Sequence, residues 1–440
     1  MKKKITEEAI LFVSIAKWVI LATMIGLIVG LSTAGFLLLL KYTINLSEHY
    51  RYYFLILPVA LFLSAFLIQH LAPEAEGHGT EKVIEAIHQR AGNIPLLVVP
   101  IKLVTTIITI ACGGSAGKEG PCAQIGAGLA SAFARLFHFN DQDKKKLVIC
   151  GVSAGFAAVF GTPIAGALFG VEVLFVGALL YDILLPSFIA GIISYQVSSL
   201  LGITYFRHPI HLFSTINEMY LLEVMGAGVF FGLCSLLFIE VLKLGHHGFK
   251  RLNLPISLKG LFGGLMIILF VFIFSKQYLG LGLNTIEDCL TGHAVHWYAF
   301  ILKTVITSIT LGCGGSGGVV TPIFFIGATA GAAFAHLFHL NIAVFSAIGL
   351  VSVLAGTANT PIAASVMAIE LFGPAIAPYA AVSCIISFLM TGHRSVYPSQ
   401  ILSISKSNTL KMELGTEMSK VHMLSSTIKN KLLKKLMRQN

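Results

Sequence analysis

The stretch that decides the fold is Cys112-Gly-Gly-Ser-Ala-Gly-Lys-Glu-Gly-Pro121, together with its near copy Cys313-Gly-Gly-Ser-Gly-Gly-Val-Val-Thr-Pro322. The copying extends well beyond these ten positions. Lys102 matches Lys303, Ser115 matches Ser316 and His138 matches His339, each 201 positions later. Gly161-Thr-Pro-Ile-Ala-Gly-Ala-Leu-Phe-Gly-Val-Glu172 then aligns with Asn359-Thr-Pro-Ile-Ala-Ala-Ser-Val-Met-Ala-Ile-Glu370, at an offset of 198. The repeated cores run over about 100–175 and 301–373. The copies part company where Lys118-Glu119-Gly120 stands against Val319-Val320-Thr321. Duplicated glycine-rich breaks in an apolar chain point to a transport pathway built from two pseudo-symmetric halves.

Composition agrees. Of 440 residues, 56% are hydrophobic and 11% charged, against about 25% charged in soluble domains. The mean hydropathy is +0.85. This is an integral membrane protein rather than a soluble one. Residues 11–40, 53–72, 219–244 and 258–278 are long enough to cross a bilayer, which needs about 20 residues. Shorter apolar segments at 94–111, 122–137, 163–180, 323–337 and 361–377 read as half-crossings or tilted helices. Irregular backbone at membrane depth survives only where protein or a wet cavity satisfies it. The expected fold is all-α, with two halves of inverted topology, because inversion aims equivalent half-helix ends at one midplane site. The expected divisions are a cytoplasmic N-terminus at 1–10, membrane halves at 11–207 and 208–405, and a basic cytoplasmic tail at 406–440. The boundary between halves falls in the polar stretch 207–217.

Net charge is +10, concentrated at Lys2–Lys4 and in the run 429–438. Both ends read as cytoplasmic by the positive-inside bias. The basic tail suits lipid headgroups better than nucleic acid. The first apolar run is too long for a cleaved signal. Seven cysteines and fifteen histidines show no C-x-x-C or H-E-x-x-H spacing, so no metal or cofactor is expected. The cysteines read as small core residues, and His246-His247 as an interfacial pair at a helix end.

The chemistry lies at the glycine breaks. Pro121 and Pro322 each suit a first helical turn, and a helix N-terminus carries about half an elementary positive charge. Its unpaired N–H groups bind anions. Cys112–Glu119 resembles a phosphate loop but lacks the leading Gly and the Ser or Thr after the lysine. Glu119 is a carboxylate inside the membrane, where acids are costly and functional by default. It can act as a tethered anion in the pocket that a mobile one would occupy, and protonation would release it. The second copy builds the same end without an acid, leaving the N–H groups of Val319, Val320 and Thr321 free. Thr162 and Thr360 are placed as N-caps before Pro163 and Pro361. Lys102 and Lys303 either add positive potential to the path or snorkel.

Gly117-Lys-Glu-Gly-Pro121, the glycine-rich copy ending at Pro322, and the late Val396-Tyr-Pro-Ser-Gln400 resemble the chloride channel (CLC) family, over about residues 11–405. Pro73-Glu-Ala-Glu-Gly-His-Gly79 stands where that family has Gly-Ser-Gly-Ile-Pro-Glu. The resemblance implies chloride or a similar small anion as cargo, a homodimer with one pore per chain, and no catalysis. It makes Glu119 the gate. The amides of Lys118, Glu119 and Gly120 would line an outer site, and Val319, Val320 and Thr321 a central one. Tyr397 would donate its hydroxyl there. His78, beside Gly79, replaces a serine donor; either its ring faces the anion or it points away and leaves only helix-end amides. Glu81 replaces a proline, and Val320 a phenylalanine. Val173 stands where the coupled exchangers of the family carry an inner proton-accepting glutamate, so passive conduction is expected and proton/chloride exchange is the alternative. Glu172 is a substitute proton carrier or, given its match to Glu370, a packing acid. The small-residue helices at 163–191 and 361–389 are the expected dimer face. An intramembrane enzyme would need a nucleophile–base pair or metal spacing that the chain does not show.

Overall fold

The computed structural model describes residues 2–210, 218–421 and 423–426. The first eight helices are α1 (Lys2–Glu48), α2 (Leu57–Leu71), α3 (Thr80–Gln89), α4 (Val98–Ala111), α5 (Glu119–Leu136), α6 (Asp141–Phe160), α7 (Pro163–Glu172) and α8 (Tyr181–Leu200). A second set follows in the same order: α9 (Glu218–Arg251), α10 (Ile256–Ile273), α11 (Leu283–Leu290), α12 (Ala299–Gly312), α13 (Val320–Phe338), α14 (Ile342–Ala358), α15 (Pro361–Phe372) and α16 (Ala377–Met390). The repeat therefore reaches further upstream than similarity at 100–175 and 301–373 suggests. Gly77-His78-Gly79 before α3 answers Gly280-Leu281-Gly282 before α11.

Local sequence explains how the matched elements begin and end. The Asn140 side chain accepts the Asp143 N–H at 2.8 Å to start α6, and Asn341 accepts the Val344 N–H at 3.1 Å to start α14. Both helices then stop at a left-handed residue, Gly161 at φ +72° and Asn359 at φ +57°, conformations that Gly and Asn tolerate best. A Cβ on Gly126 would stand 2.2 Å from the Gly151 carbonyl oxygen, and one on Gly327 would stand 2.4 Å from that of Gly349. Only glycine lets α5 touch α6, and α13 touch α14, backbone to backbone.

Among the described residues, six helices are long and apolar enough to cross a membrane. Four coincide with or overlap the expected runs. The other two are Tyr181–Leu200 and Val320–Phe338; of the two alternatives for 323–337, a half-crossing or a tilted helix, the length of Val320–Phe338 suits the tilted helix. The helix α13 gains its length because its apolar stretch begins at Val320, directly at the glycine break. Helix α1 holds 47 residues, about 70 Å at 1.5 Å per residue, more than twice a hydrocarbon core of about 30 Å. It is already helical at Lys2, so the described part of 1–10 continues the first helix.

The linker after α8 runs back along α15, with the His208 N–H bonded to the Leu371 carbonyl and that of Ile210 to Phe372, each at 2.9 Å. The rest of the expected boundary, 211–217, lies outside the described residues. Four short strands join the helical fold among the described residues, one between α7 and α8 and three after α16. β1 (Phe175–Val176) pairs in parallel with β2 (Ile401–Leu402), and β3 (Leu410–Met412) pairs antiparallel with β4 (Met423–Ser426). Lys406 is held by the Asn359 side chain at 2.6 Å and the Phe388 carbonyl at 2.7 Å. The first residue of the expected tail is thus fastened to the second half. The basic run 429–438 lies outside the described residues.

Candidate anion site between the halves

Gly117 and Gly318 exchange two backbone hydrogen bonds, of 2.7 and 2.6 Å, in an isolated antiparallel bridge. This joins the glycine break of one half to that of the other. Hydroxyls reinforce it reciprocally: Ser316 N–H donates to Thr109 Oγ1 at 3.1 Å, and Ser115 N–H donates to Thr310 Oγ1 at 3.2 Å. The starts of α5 and α13 therefore meet at the centre of the molecule.

Glu119 leads α5 and is fully buried. Its carboxylate does not fold back only on its own helix. Oε2 accepts the Thr321 N–H at 3.1 Å, and Oε1 accepts the Thr321 hydroxyl. This corrects the expectation that Thr321 is free. An N-terminal N–H of α13 has no intrahelical acceptor, and here the acid of the opposite half supplies one. The Thr321 hydroxyl was overlooked in the sequence, where only its amide drew attention. Val319 and Val320 are buried beside it at the start of α13.

On one side of Glu119 lie His78 and Tyr397. Their ring centroids are 5.6 Å apart. His78 Nδ1 and the Tyr397 hydroxyl are both buried without a hydrogen-bond partner. Two donor-capable groups left unpaired in one place are costly unless something visits them. The His78 ring packs beside that of Tyr397. Gly79, at φ +81°, is wedged so closely that a Cβ there would lie 2.5 Å from the Gly120 carbonyl oxygen. That contact holds the His78 turn against the start of α5. Lys118 forms the N-cap position of α5 and remains partly exposed.

A cavity of about 760 Å³ opens from His78. Lys82, Lys243, His246, His247, Lys250, Lys259 and Arg394 line it, against Glu76 and Glu81. His246 and His247 thus line this cavity, near the end of α9. Such a surplus of positive charge concentrates anions.

The repeat-matched ions have other places. Lys102 Nζ donates to the carbonyls of Ala75 (3.0 Å) and Gly77 (2.6 Å), and Lys303 Nζ donates to those of Tyr278 (3.0 Å) and Gly280 (2.8 Å). Neither snorkels: each fastens the turn before α3 or α11. Glu172 Oε1 and Oε2 accept the N–H groups of Ile362 (3.0 Å) and Ala363 (2.7 Å), while Glu370 accepts those of Ile164 (3.0 Å) and Ala165 (2.8 Å). Each half caps the other's helix. Thr162 and Thr360 hold the N-cap positions, but their hydroxyls make no cap and are unpaired. The carboxylates win because a charged acceptor bonds two N–H groups at once. Val173 is 1% exposed, and its carbonyl accepts Gln400 Nε2 at 2.7 Å.

A deep cluster of neutral N–H and O–H donors, approached through a basic vestibule, defines the class: a membrane protein that moves small anions. The family profile described as voltage gated chloride channel matches residues 60–392. The chain is 39% identical over 408 residues to a chloride/fluoride channel protein of Pseudomonas syringae pv. tomato, covering 91% of this chain and 90% of that one. It is 27% identical over 412 residues to the voltage-gated ClC-type chloride channel ClcB of Escherichia coli O81, covering 86% and 97%. Among solved structures, a CLC-type fluoride/proton antiporter superposes with a TM-score of 0.83 at 29% identity, covering 88% of this chain and 98% of that one. A slow cyanobacterial Cl⁻/H⁺ antiporter shares the fold, with a TM-score of 0.75 at 22% identity, covering 85% and 94%. This chain belongs to the voltage gated chloride channel family.

Proposed function

We propose that the chain exchanges a small halide, chloride or fluoride, for protons, with Glu119 as the group that alternates between them. The observation carrying this reading is the Glu119 carboxylate bound to the start of α13. It occupies donors that a mobile anion would use, so anion and carboxylate compete. The donors are neutral, and a carboxylate leaving them for an apolar setting pays a large desolvation cost. Protonation removes that cost and frees the site. His78, Tyr397 and the amides of Val319 and Val320 then receive the anion arriving from the vestibule. Gly79 and Gly120 hold the His78 turn against the gate, and Lys118 stands at the N-cap position just before it. Similarity to the fluoride/proton antiporter supports exchange.

Passive conduction is the second reading. Val173, buried and apolar, favours it, as does similarity to the chloride/fluoride channel protein. Reconstitution in liposomes with opposed anion and pH gradients separates the two. Exchange predicts a reversal potential that moves with the pH gradient. A potential that follows the anion gradient alone and ignores pH supports conduction and defeats exchange.

A further inference from the structure

Exchange needs a route for the proton between Glu119 and the vestibule, and a positioned acceptor on it would speed the transfer. Val173 has no titratable group. Glu172 is committed to the N–H groups of Ile362 and Ala363 on α15. Neither lines the vestibule cavity.

We propose that Glu81 is the vestibule-side proton acceptor, a role resting on the exchange reading. Glu81 lines the cavity. Its Oε1 accepts both the Ser399 N–H, at 3.0 Å, and the Ser399 hydroxyl. Its Oε2 is buried and has no partner. One oxygen is therefore fixed and the other is left with a vacant lone pair, the arrangement of a carboxylate that takes a proton at one defined atom.

The neighbours give this atom a direction. Ser399 lies two residues after Tyr397, so Glu81 is tied to the loop that carries the tyrosine. His78 lines the same cavity and has a buried, unpartnered Nδ1. Its carbonyl lies so near Gly120 that a Cβ there would be 2.0 Å away, which brings the turn against the residue after Glu119. Glu81, the His78–Tyr397 pair and Glu119 thus form a succession of polar groups from vestibule to gate.

The charged groups around Glu81 come from every element lining the cavity. Lys82 and Glu85 pair on α3 itself at 2.9 Å. Glu76 precedes the helix. Lys243, His246, His247 and Lys250 face the cavity from α9, Lys259 from α10, and Arg394 from the segment after α16. Burial pushes the Glu81 carboxyl up to about 7, its Ser399 hydrogen bonds and Lys82 pulling the other way, so it can take a proton and release it to the vestibule near neutral pH.

The transfer balances simply. The O–H bond of protonated Glu119 breaks, a proton is relayed, and an O–H bond forms at Glu81 Oε2. Glu119 returns as a carboxylate to Thr321, and water then takes the proton from Glu81. The reverse order serves the opposite direction of transport.

The test is Glu81→Gln in liposomes, with anion efflux and proton uptake recorded together. Glutamine keeps an oxygen for Ser399 but cannot carry the proton. Anion efflux is expected to stay near the parent's while coupled proton flux falls about 100-fold, a typical general-base contribution. Glu81→Asp restores part of it. Unchanged proton flux in Glu81→Gln overturns the assignment. So does an equal fall of both fluxes, which would make Glu81 a tether for the Tyr397 loop only. If the parent chain itself moves no protons, the exchange reading fails first and this role fails with it.

Discussion

The starts of α5 and α13 are the same backbone used in two ways. Both follow a Cys-Gly-Gly-Ser break, both place proline in the first turn, and they clasp each other through Gly117 and Gly318. One carries Glu119 where the other carries Val320, and Gly120 where the other carries Thr321. The acid of the first fills the donors of the second. By contrast, the ends of α7 and α15 keep their symmetry: Glu172 and Glu370 do the same work for each other's helix. Where the duplication is preserved, it builds structure. Where it is broken, one half supplies donors and the other the carboxylate that fills them.

Removing a symmetric acid should cost stability. Glu172→Ala leaves the Ile362 and Ala363 N–H groups without their acceptor, a loss of about 2–6 kcal/mol at 1–3 each. Thermal unfolding in detergent should show it, with the anion preference of surviving protein unchanged. A variant as stable as its parent but altered in anion preference would make Glu172 part of the path. Altering the asymmetric pair should affect transport instead. Thr321→Val keeps the amide and removes the hydroxyl that Glu119 accepts. Loss of one charge-assisted hydrogen bond, about 1.5–3 kcal/mol, weakens the closed gate. Anion flux at high pH should rise about tenfold, the equivalent of 1.4 kcal/mol, while unfolding temperature changes little. No gain in flux would mean that the hydroxyl contact does not hold the gate.

Much of this was legible in the sequence because it is local. Glycine breaks, first-turn prolines and offset-matched residues mark helix ends whatever surrounds them. The anion-attracting character of those ends follows from backbone alone. Two contacts were not legible because they cross between halves. The reach of Glu119 to Thr321 depends on two loops meeting, and sequence reading placed the acid on its own helix end. Thr162 and Thr360 fit the local rule for caps, yet carboxylates nearly 200 residues away displace them. Lys102 and Lys303 could be matched to each other, but not to the carbonyls that hold them. In the sequence Glu81 stands out only as a replacement for a proline. Its tie to Ser399 is long-range, and no periodicity announces it.

The central claim is that the Glu119 carboxylate, lodged in the other half's donors, is what closes the path. Anion flux in liposomes measured across pH, for the parent chain and Glu119→Gln, tests it most directly. Protonation neutralises the carboxylate, so parent flux should rise as pH falls. The glutamine variant, neutral at every pH, should give flux that no longer responds to pH and loses its proton coupling. A pH response in Glu119→Gln equal to the parent's would contradict the account.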